Sequence, residues 1–404
     1  MSKPADLNLN DWLLRGNGDK WLALASSAEL SSLQLTTKLR ESLTQEQTHG
    51  VLELAELRQR ALQKFTAAEK MFFTRTSFEQ ATDQWIAQYK AARFADRGHV
   101  ADLCCGIGGD ALGLLQVANK LTLCDRSPEL VKYAARNLAE AYPEDVTPTV
   151  VRVGDVTELA LGSYGAWHID PDRRAGGKRT THAEFQEPSD VAIDTMLTYN
   201  PHAAIKLAPA CEVPPRWAEA GELEWISRDG ECRQLVVWHG ELTESHGQRR
   251  ATMVKAADHE TTVVRTLVGS GDSPMPADET IEHYVYEPDA AVLASGLASE
   301  LAQEHQWWSF ASTSGYLTGT TLVDEPATSR FEVQEVLPLN TKKLARYLRV
   351  RNVGQLEIKH RAVDLNPEQL RRELKLEGDN RATLLLTRVG EKRIAIVANR
   401  AGDL

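Results

Sequence analysis

The segment from Val100 to Leu115, VADLCCGIGGDALGLL, constrains this chain more than any other: a short apolar strand runs into a glycine-rich turn and then directly into an apolar helix. Gly106, Gly108 and Gly109 remove side chains from a turn whose backbone must approach a ligand closely, and Asp102 sits at the strand end, facing the turn. A dinucleotide site calls for the spacing G-x-G-x-x-G and leaves the helix start open to phosphate. Here the spacing is G-x-G-G and Asp110 follows, a negative charge that competes with phosphate at that helix start. The turn points to a ligand with a positive amino group rather than a pyrophosphate.

Three further strands end the same way. LTLCD (Leu121 to Asp125) reads as the second strand and closes on a carboxylate placed to grip ribose hydroxyls. TVVRVGD ends in Asp155, and AWHID ends in Asp170 and runs into Pro171. Acids at the carboxyl ends of neighbouring parallel strands describe a cofactor crevice. The glycine loop alone also fits a nicotinamide enzyme or a Rossmann-like fold without a ligand; the ordered set of acids separates the readings. His168, out of step with the strand-end acid, is expected to pack under the sheet.

On these residues the stretch 96–275 resembles a class I S-adenosylmethionine-dependent methyltransferase domain. The resemblance implies an α/β, Rossmann-like sheet and S-adenosylmethionine as cofactor, with no metal. It assigns the methionine part to Asp102, Cys104, Gly106 and Gly108, the ribose to Asp125, and the adenine to Asp155 with Val156, and Arg126 joins them in the cofactor-binding set. Methyltransferases that act on exocyclic amines of bases carry an Asp/Asn/Ser-Pro-Pro-aromatic turn after the fourth strand. Asp170, Pro171 and Arg173 are the corresponding catalytic candidates, with Asp172 in place of the second proline and Arg173 in place of the aromatic ring. A guanidinium can stack on a base or pair with a phosphate, and Gly176 to Arg179 (GGKR) extends the turn with basic residues. The turn also resembles the Asp-Pro-x-Arg of 5-methyluridine methyltransferases, which need a cysteine nucleophile after the fifth strand; Cys211 is the thiol near that place. Methylation of a nitrogen asks mainly for in-line placement and a polar group to receive positive charge, a role that suits Asp170.

The rest of the chain frames this core. An apolar fraction of 42% and a charged fraction of 25% over 404 residues are those of a globular protein of two or three domains. With no long apolar run and no apolar core in MSKPADLNLN, the expectation is a cytoplasmic protein without membrane contact. Cys104, Cys105, Cys124, Cys211 and Cys232 form no C-x-x-C pair, so reduced thiols are expected. Residues 1–95 read as helical, with Leu54, Leu57, Ala61, Leu62 and Phe65 at three- and four-residue steps. Ser77 is expected to cap a helix within Met71 to Phe94, and Arg75, Gln80 and Thr82 are candidates to close over the methionine end. Ala203 to Ala208 reads as a fifth strand, Glu231 to Gly240 as a strand near the antiparallel end of the sheet, and Gly269 to Glu279 as a linker.

Residues 276–330 read as a strand running into a helix with further strand material after it, and the family resemblance named next implies a small ferredoxin-like α+β segment there. From 331 to 404 strand-like and helix-like units alternate, and Asn366-Pro367 marks a helix start. This tail resembles the THUMP-like domain that follows a methyltransferase domain in a bacterial family. THUMP domains proper bind RNA in RNA-modifying enzymes, so the likeness implies RNA, tRNA or rRNA, as partner and substrate. Charge agrees: residues 341–400 hold fifteen Lys plus Arg against seven Asp plus Glu in a chain of net −11. Lys342, Lys343, Arg346, Arg349 and Arg351 are the anchor candidates; a solvated helix face is the other reading of them. An RNA-binding protein that keeps the methyltransferase fold as a scaffold is the rival to the enzyme.

Overall fold

Capping residues divide the N-terminal stretch into short helices: α1 (Leu9–Leu14), α2 (Asp19–Ser26), α3 (Ser32–Arg40), α4 (Gln45–Ala61), α5 (Arg75–Gln80) and α6 (Gln84–Ala91). Ser31 with Gln34 and Thr44 with Gln47 form reciprocal capping boxes at the starts of α3 and α4. The expected apolar face of α4 is buried through Leu54, Leu57 and Ala61, whereas Phe65 is buried beyond the helix end. The helix expected from Ser77 is instead two helices. Thr74 caps α5 and Ser77 is its reciprocal partner inside the first turn; Ala81 is extended, and Asp83 then caps α6 by accepting from the Ile86 N–H at 3.1 Å.

The computed structural model describes residues 8–27, 30–172, 185–257, 260–311 and 315–402. The chain divides into two units, 1–222 with 235–246 and 254–262, and 223–234 with 247–253 and 263–404. In the first, strands and helices alternate: β1 (His99–Leu103), α7 (Ala111–Leu114), β2 (Lys120–Asp125), α8 (Pro128–Ala141), β3 (Thr149–Val153), β4 (Ala166–Ile169), α9 (Asp190–Tyr199), β5 (Ala203–Leu207) and α10 (Pro215–Ala220). Then come β6 (Glu222–Arg228), β7 (Glu231–His239), β8 (Arg249–Ala257) and β9 (Glu260–Gly269), whose residues are divided between the two units. The sheet order is β3-β2-β1-β4-β5-β7-β6-β8-β9; β1 to β5 run parallel and β7 pairs antiparallel with β5. The central strands are continuous apolar runs because a parallel sheet is covered on both faces, and Val100, Leu121, Ile169 and Ile205 are fully buried. The edge strand β3 is mostly exposed.

The second unit continues with β10 (Tyr284–Pro288), α11 (Ala290–Ser295), α12 (Ala298–His305), β11 (Trp308–Ser309), β12 (Leu317–Gly319), β13 (Thr328–Pro338), α13 (Thr341–Val350), β14 (Val353–His360), α14 (Pro367–Leu374), β15 (Asn380–Val389) and β16 (Lys392–Arg400). Its sheet has the order β11-β12-β10-β13-β16-β15-β14, in which β14 and β15 pair parallel and the other neighbouring strands antiparallel. Side-chain alternation gives it two apolar faces. Leu356, Leu384 and Leu386 pack with Leu344, Leu348, Leu370 and Leu374 of α13 and α14; Leu385, Ile396 and Ala398 pack with Val285, Phe310 and Phe331. The Asn366 side chain caps α14 as its sequence predicts.

Candidate active site

A cavity of about 300 Å³ opens in the first unit at the carboxyl ends of β1, β2 and β4. Asp102, Cys104, Gly106, Asp125, Arg126 and Val156 of the expected cofactor set line it, as do Asp170 and Pro171. Gly108 and Asp155 do not. Gly108, at φ +83°, lies where an added Cβ would meet Leu138 Cδ1 at 2.9 Å, so its lack of a side chain lets the loop pack on α8. Asp155 Oδ1 accepts from Thr157 N–H at 2.9 Å and Thr157 Oγ1 at 2.7 Å, and its neighbours Gly154 and Val156 stand in the wall. Arg173, Arg174 and the segment from Gly176 to Arg179 lie outside the described residues.

The glycine turn is fastened from two sides. Asp125 Oδ2 accepts from the Gly106 N–H at 3.0 Å and its Oδ1 from the Ser127 N–H at 2.9 Å. Asn137 of α8, fully buried, donates to Ile107 O and Phe72 O, each at 3.1 Å, and accepts from the Phe72 N–H at 2.7 Å. One amide thus ties the N-terminal segment and the turn to the same helix. The α5 to α6 loop supplies the remaining wall through Ser77, Gln80, Ala81 and Thr82. Gly109 makes that approach feasible, since a Cβ there would sit 2.7 Å from Thr82 O. Of the three N-terminal candidates, Gln80 and Thr82 reach the cavity; Arg75 instead faces Glu53 and Glu56 on α4.

Beside the cavity lies a buried charge cluster that the sequence pattern did not reveal. Lys90 of α6 pairs with Asp110 Oδ1 at 2.5 Å, and Thr82 Oγ1 donates to Asp110 Oδ2 at 2.7 Å. Lys206 of β5 lies 2.5 Å from Asp170 Oδ2 and 3.7 Å from Asp110 Oδ2. His168 is not mere packing: its Nδ1 lies 2.8 Å from Asp102 Oδ1 and its Nε2 3.3 Å from Lys90 Nζ. Burial alone would raise the Asp110 pKa, but the positive charges around it, Lys90 foremost, outweigh that and hold it far below the ordinary value. Burial raises the pKa of Asp102 against the opposing His168 hydrogen bond, and lowers that of Lys90 against the pull of Asp110. The partners come from distant parts of the chain, Lys90 and His168 lying 78 residues apart, which is why no local motif announced them.

Two thiols, Cys104 and Cys105, line this cavity. Burial, reinforced by neighbouring carboxylates, pushes Cys104 and Cys105 well above the usual thiol range. Cys211 is buried outside the cavity wall, with its Sγ 3.7 Å from both Gln186 Nε2 and Glu212 O.

In the second unit, α13 exposes Lys342, Lys343 and Arg346. Arg349 is drawn into structure by donating to Leu374 O at 2.8 Å, and Arg351 lies over the Tyr347 ring at 3.5 Å. An open groove of about 1120 Å³ is lined by Arg351, Arg371, Arg381 and Arg400, by the amides of Gln334, Gln355, Asn380 and Asn399, and by Glu357. The acid is spent locally: Arg400 and Thr383 hydrogen-bond to Glu357, outweighing its burial and lowering its pKa.

Comparison with known proteins agrees with this architecture. Residues 328–400 match the THUMP domain-like family. An uncharacterised S-adenosylmethionine-dependent methyltransferase of Mycobacterium tuberculosis is 28% identical over 355 residues, covering 84% of this chain and 92% of that one. A candidate methyltransferase from Porphyromonas gingivalis W83, known from its crystal structure, superimposes with a TM-score of 0.72 at 20% identity, covering 95% of this chain and 98% of that one. Over most of its length the chain is thus similar to an S-adenosylmethionine-dependent methyltransferase, and its C-terminal part is similar to THUMP-like domains. Among the described residues no helix is long and apolar enough to cross a membrane.

Proposed function

We propose that the protein transfers the methyl group of S-adenosylmethionine to a base nitrogen of RNA, with the basic C-terminal domain docking the RNA. The cavity carries this reading, because its walls suit that cofactor. Gly106 and Gly154 stand in the wall where an added Cβ would meet no atom within 4 Å, so both leave room toward a ligand. Asp102 Oδ2 is buried without a hydrogen-bond partner among the described residues, an acceptor suited to a cationic amino group. Asp125 closes β2 where ribose hydroxyls are gripped in such sheets. S-adenosylmethionine bound there supplies an electrophilic methyl group on a sulfonium.

The chain's own residues then place the acceptor. Asp170 follows β4 with Lys206 against its Oδ2, leaving the Asp170-Pro171 turn on the cavity wall to accept an N–H from the incoming amine and to receive the developing positive charge. Alignment of donor and acceptor supplies much of the barrier reduction. The THUMP-like match and the exposed cations of α13 support RNA as the substrate class. The burial of Cys211 away from the cavity favours a nitrogen acceptor over covalent activation of a pyrimidine carbon.

The test is transfer of tritiated methyl from S-adenosylmethionine to total RNA from cells lacking the gene, followed by mass spectrometry of nucleosides. Label is expected in RNA with the wild type and with Cys211→Ser, and Asp170→Ala is expected to lower it by about a hundredfold or more. Cofactor affinity should be retained in Asp170→Ala. Label that enters protein or small molecules but not RNA, or that persists undiminished in Asp170→Ala, overturns the reading. A trapped RNA adduct on Cys211 would move the enzyme to the carbon-methylating class.

A further inference from the structure

Six ionisable groups meet under the methyltransferase cavity, and their donor and acceptor capacities impose a direction. An ammonium has only donors to offer, so Lys90, paired with Asp110 at 2.5 Å, can face His168 Nε2 at 3.3 Å favourably only if that nitrogen is the acceptor. The proton of neutral His168 is then on Nδ1, which donates to Asp102 Oδ1 at 2.8 Å. Asp102 is left as the end of the chain, its Oδ1 held and its buried Oδ2 without a partner among the described residues. Asp102 also lines the cavity.

We propose that His168, oriented by Lys90, is a positioning residue that holds Asp102 as a fixed anionic acceptor for the cationic amino group of the cofactor's amino-acid part. The inference rests on the reading of the cavity as a S-adenosylmethionine site. Its physical logic is charge balance. Lys90 offsets Asp110, Lys206 offsets Asp170, and neutral His168 adds no charge, so Asp102 is the carboxylate of this cluster that awaits a cation from outside. Burial raises the pKa of Asp102, which is the strain expected of an anion waiting for its counter-charge. The same arrangement ties the cofactor's grip to α6, since Lys90 reaches the cluster from that helix.

The experiment compares two ligands that share the adenosine and thioether but differ in the amino-acid part: S-adenosylhomocysteine, which has it, and 5′-methylthioadenosine, which lacks it. Calorimetry is run on the full chain. His168→Leu removes the donor to Asp102; His168→Asn keeps an N–H at the δ position. His168→Leu should weaken S-adenosylhomocysteine by about tenfold or more while 5′-methylthioadenosine changes by no more than about twofold, and His168→Asn should restore most of the loss. A merely structural role would weaken both ligands together, and that result overturns the proposal. So does unchanged S-adenosylhomocysteine affinity in folded His168→Leu.

Should His168→Leu fail to fold, nitrogen-15 NMR of histidine-labelled wild type decides, with the His168 signal assigned by its loss in His168→Asn. A neutral ring protonated on Nδ1 is expected; protonation on Nε2, alone or together with Nδ1, overturns the proposal. If the wild type binds neither ligand, the cofactor reading itself has failed. If it binds both and the variants leave the pattern unchanged, only the role of His168 has failed.

Discussion

Asp125 combines the proposed ribose contact with a structural one. Its carboxylate accepts from Gly106 and Ser127, so the same group fastens the glycine turn that lines the cavity. Asp125→Ala should weaken S-adenosylhomocysteine binding by about 1.5–3 kcal/mol, the worth of a hydrogen bond to a charged group, and should lower the melting temperature as well. Calorimetry and thermal unfolding of one preparation check both; full affinity in the folded variant would remove Asp125 from the site. His239 offers a separate residue-scale test. Burial lowers its pKa to about 4, and its ring lies edge-on to Trp217 at 6.4 Å. The unfolded chain binds that proton near pH 6.5, so stability is complete above that pH and is lost as the pH falls toward 4, by up to about 3 kcal/mol. Urea unfolding at pH 7 and pH 4.5 should show a smaller drop for His239→Gln than for the wild type. Parallel drops would mean that His239 carries none of the acid sensitivity.

At the scale of elements, α6 is the helix on which the site depends, and its seat on α7 is set by a glycine. A Cβ on Gly113 would lie 2.3 Å from Ala87 O, backbone against backbone, with no flexible side chain to give way. Gly113→Ala should therefore destabilise the fold by about 1–3 kcal/mol or more, read as a shift of the urea midpoint, and should weaken cofactor binding by displacing Lys90. An unshifted midpoint would show that α6 can move without cost. Much at this scale was legible. The strands β1 to β5, the helix after the glycine turn and the Asn366 cap follow from patterns within a few residues. The break between α5 and α6 was not, because Ser77 and Thr74 are both competent caps and only the reciprocal bonds between them decide which one starts the helix.

For the whole molecule, charge separates the acidic bulk of the chain from its basic C-terminal part. If exposed cations of α13 hold RNA phosphates, replacing Lys342, Lys343 and Arg346 together with glutamine should weaken RNA binding and flatten its salt dependence by about one unit per lost contact, with S-adenosylhomocysteine affinity unchanged. Filter binding across a salt series measures this. An unaltered slope would transfer the docking role to the arginine-lined groove of Arg371, Arg381 and Arg400.

The sequence by itself determined the class of fold and the edge of the sheet where the site lies, because a strand's last residue and the turn after it are neighbours in the chain and leave a local pattern. Asp102, Asp125 and Asp170 could be named from that pattern, and all three line the cavity. Gly108 and Asp155 shared the pattern but not the placement, since the direction of a turn depends on what it packs against: Leu138 for one, Thr157 for the other. The tertiary structure alone decided the buried cluster of Lys90, Asp110, His168 and Lys206. These residues come from a helix, a turn and two strands, and each is an ordinary lysine, aspartate or histidine until the fold takes it out of water and makes its partner indispensable.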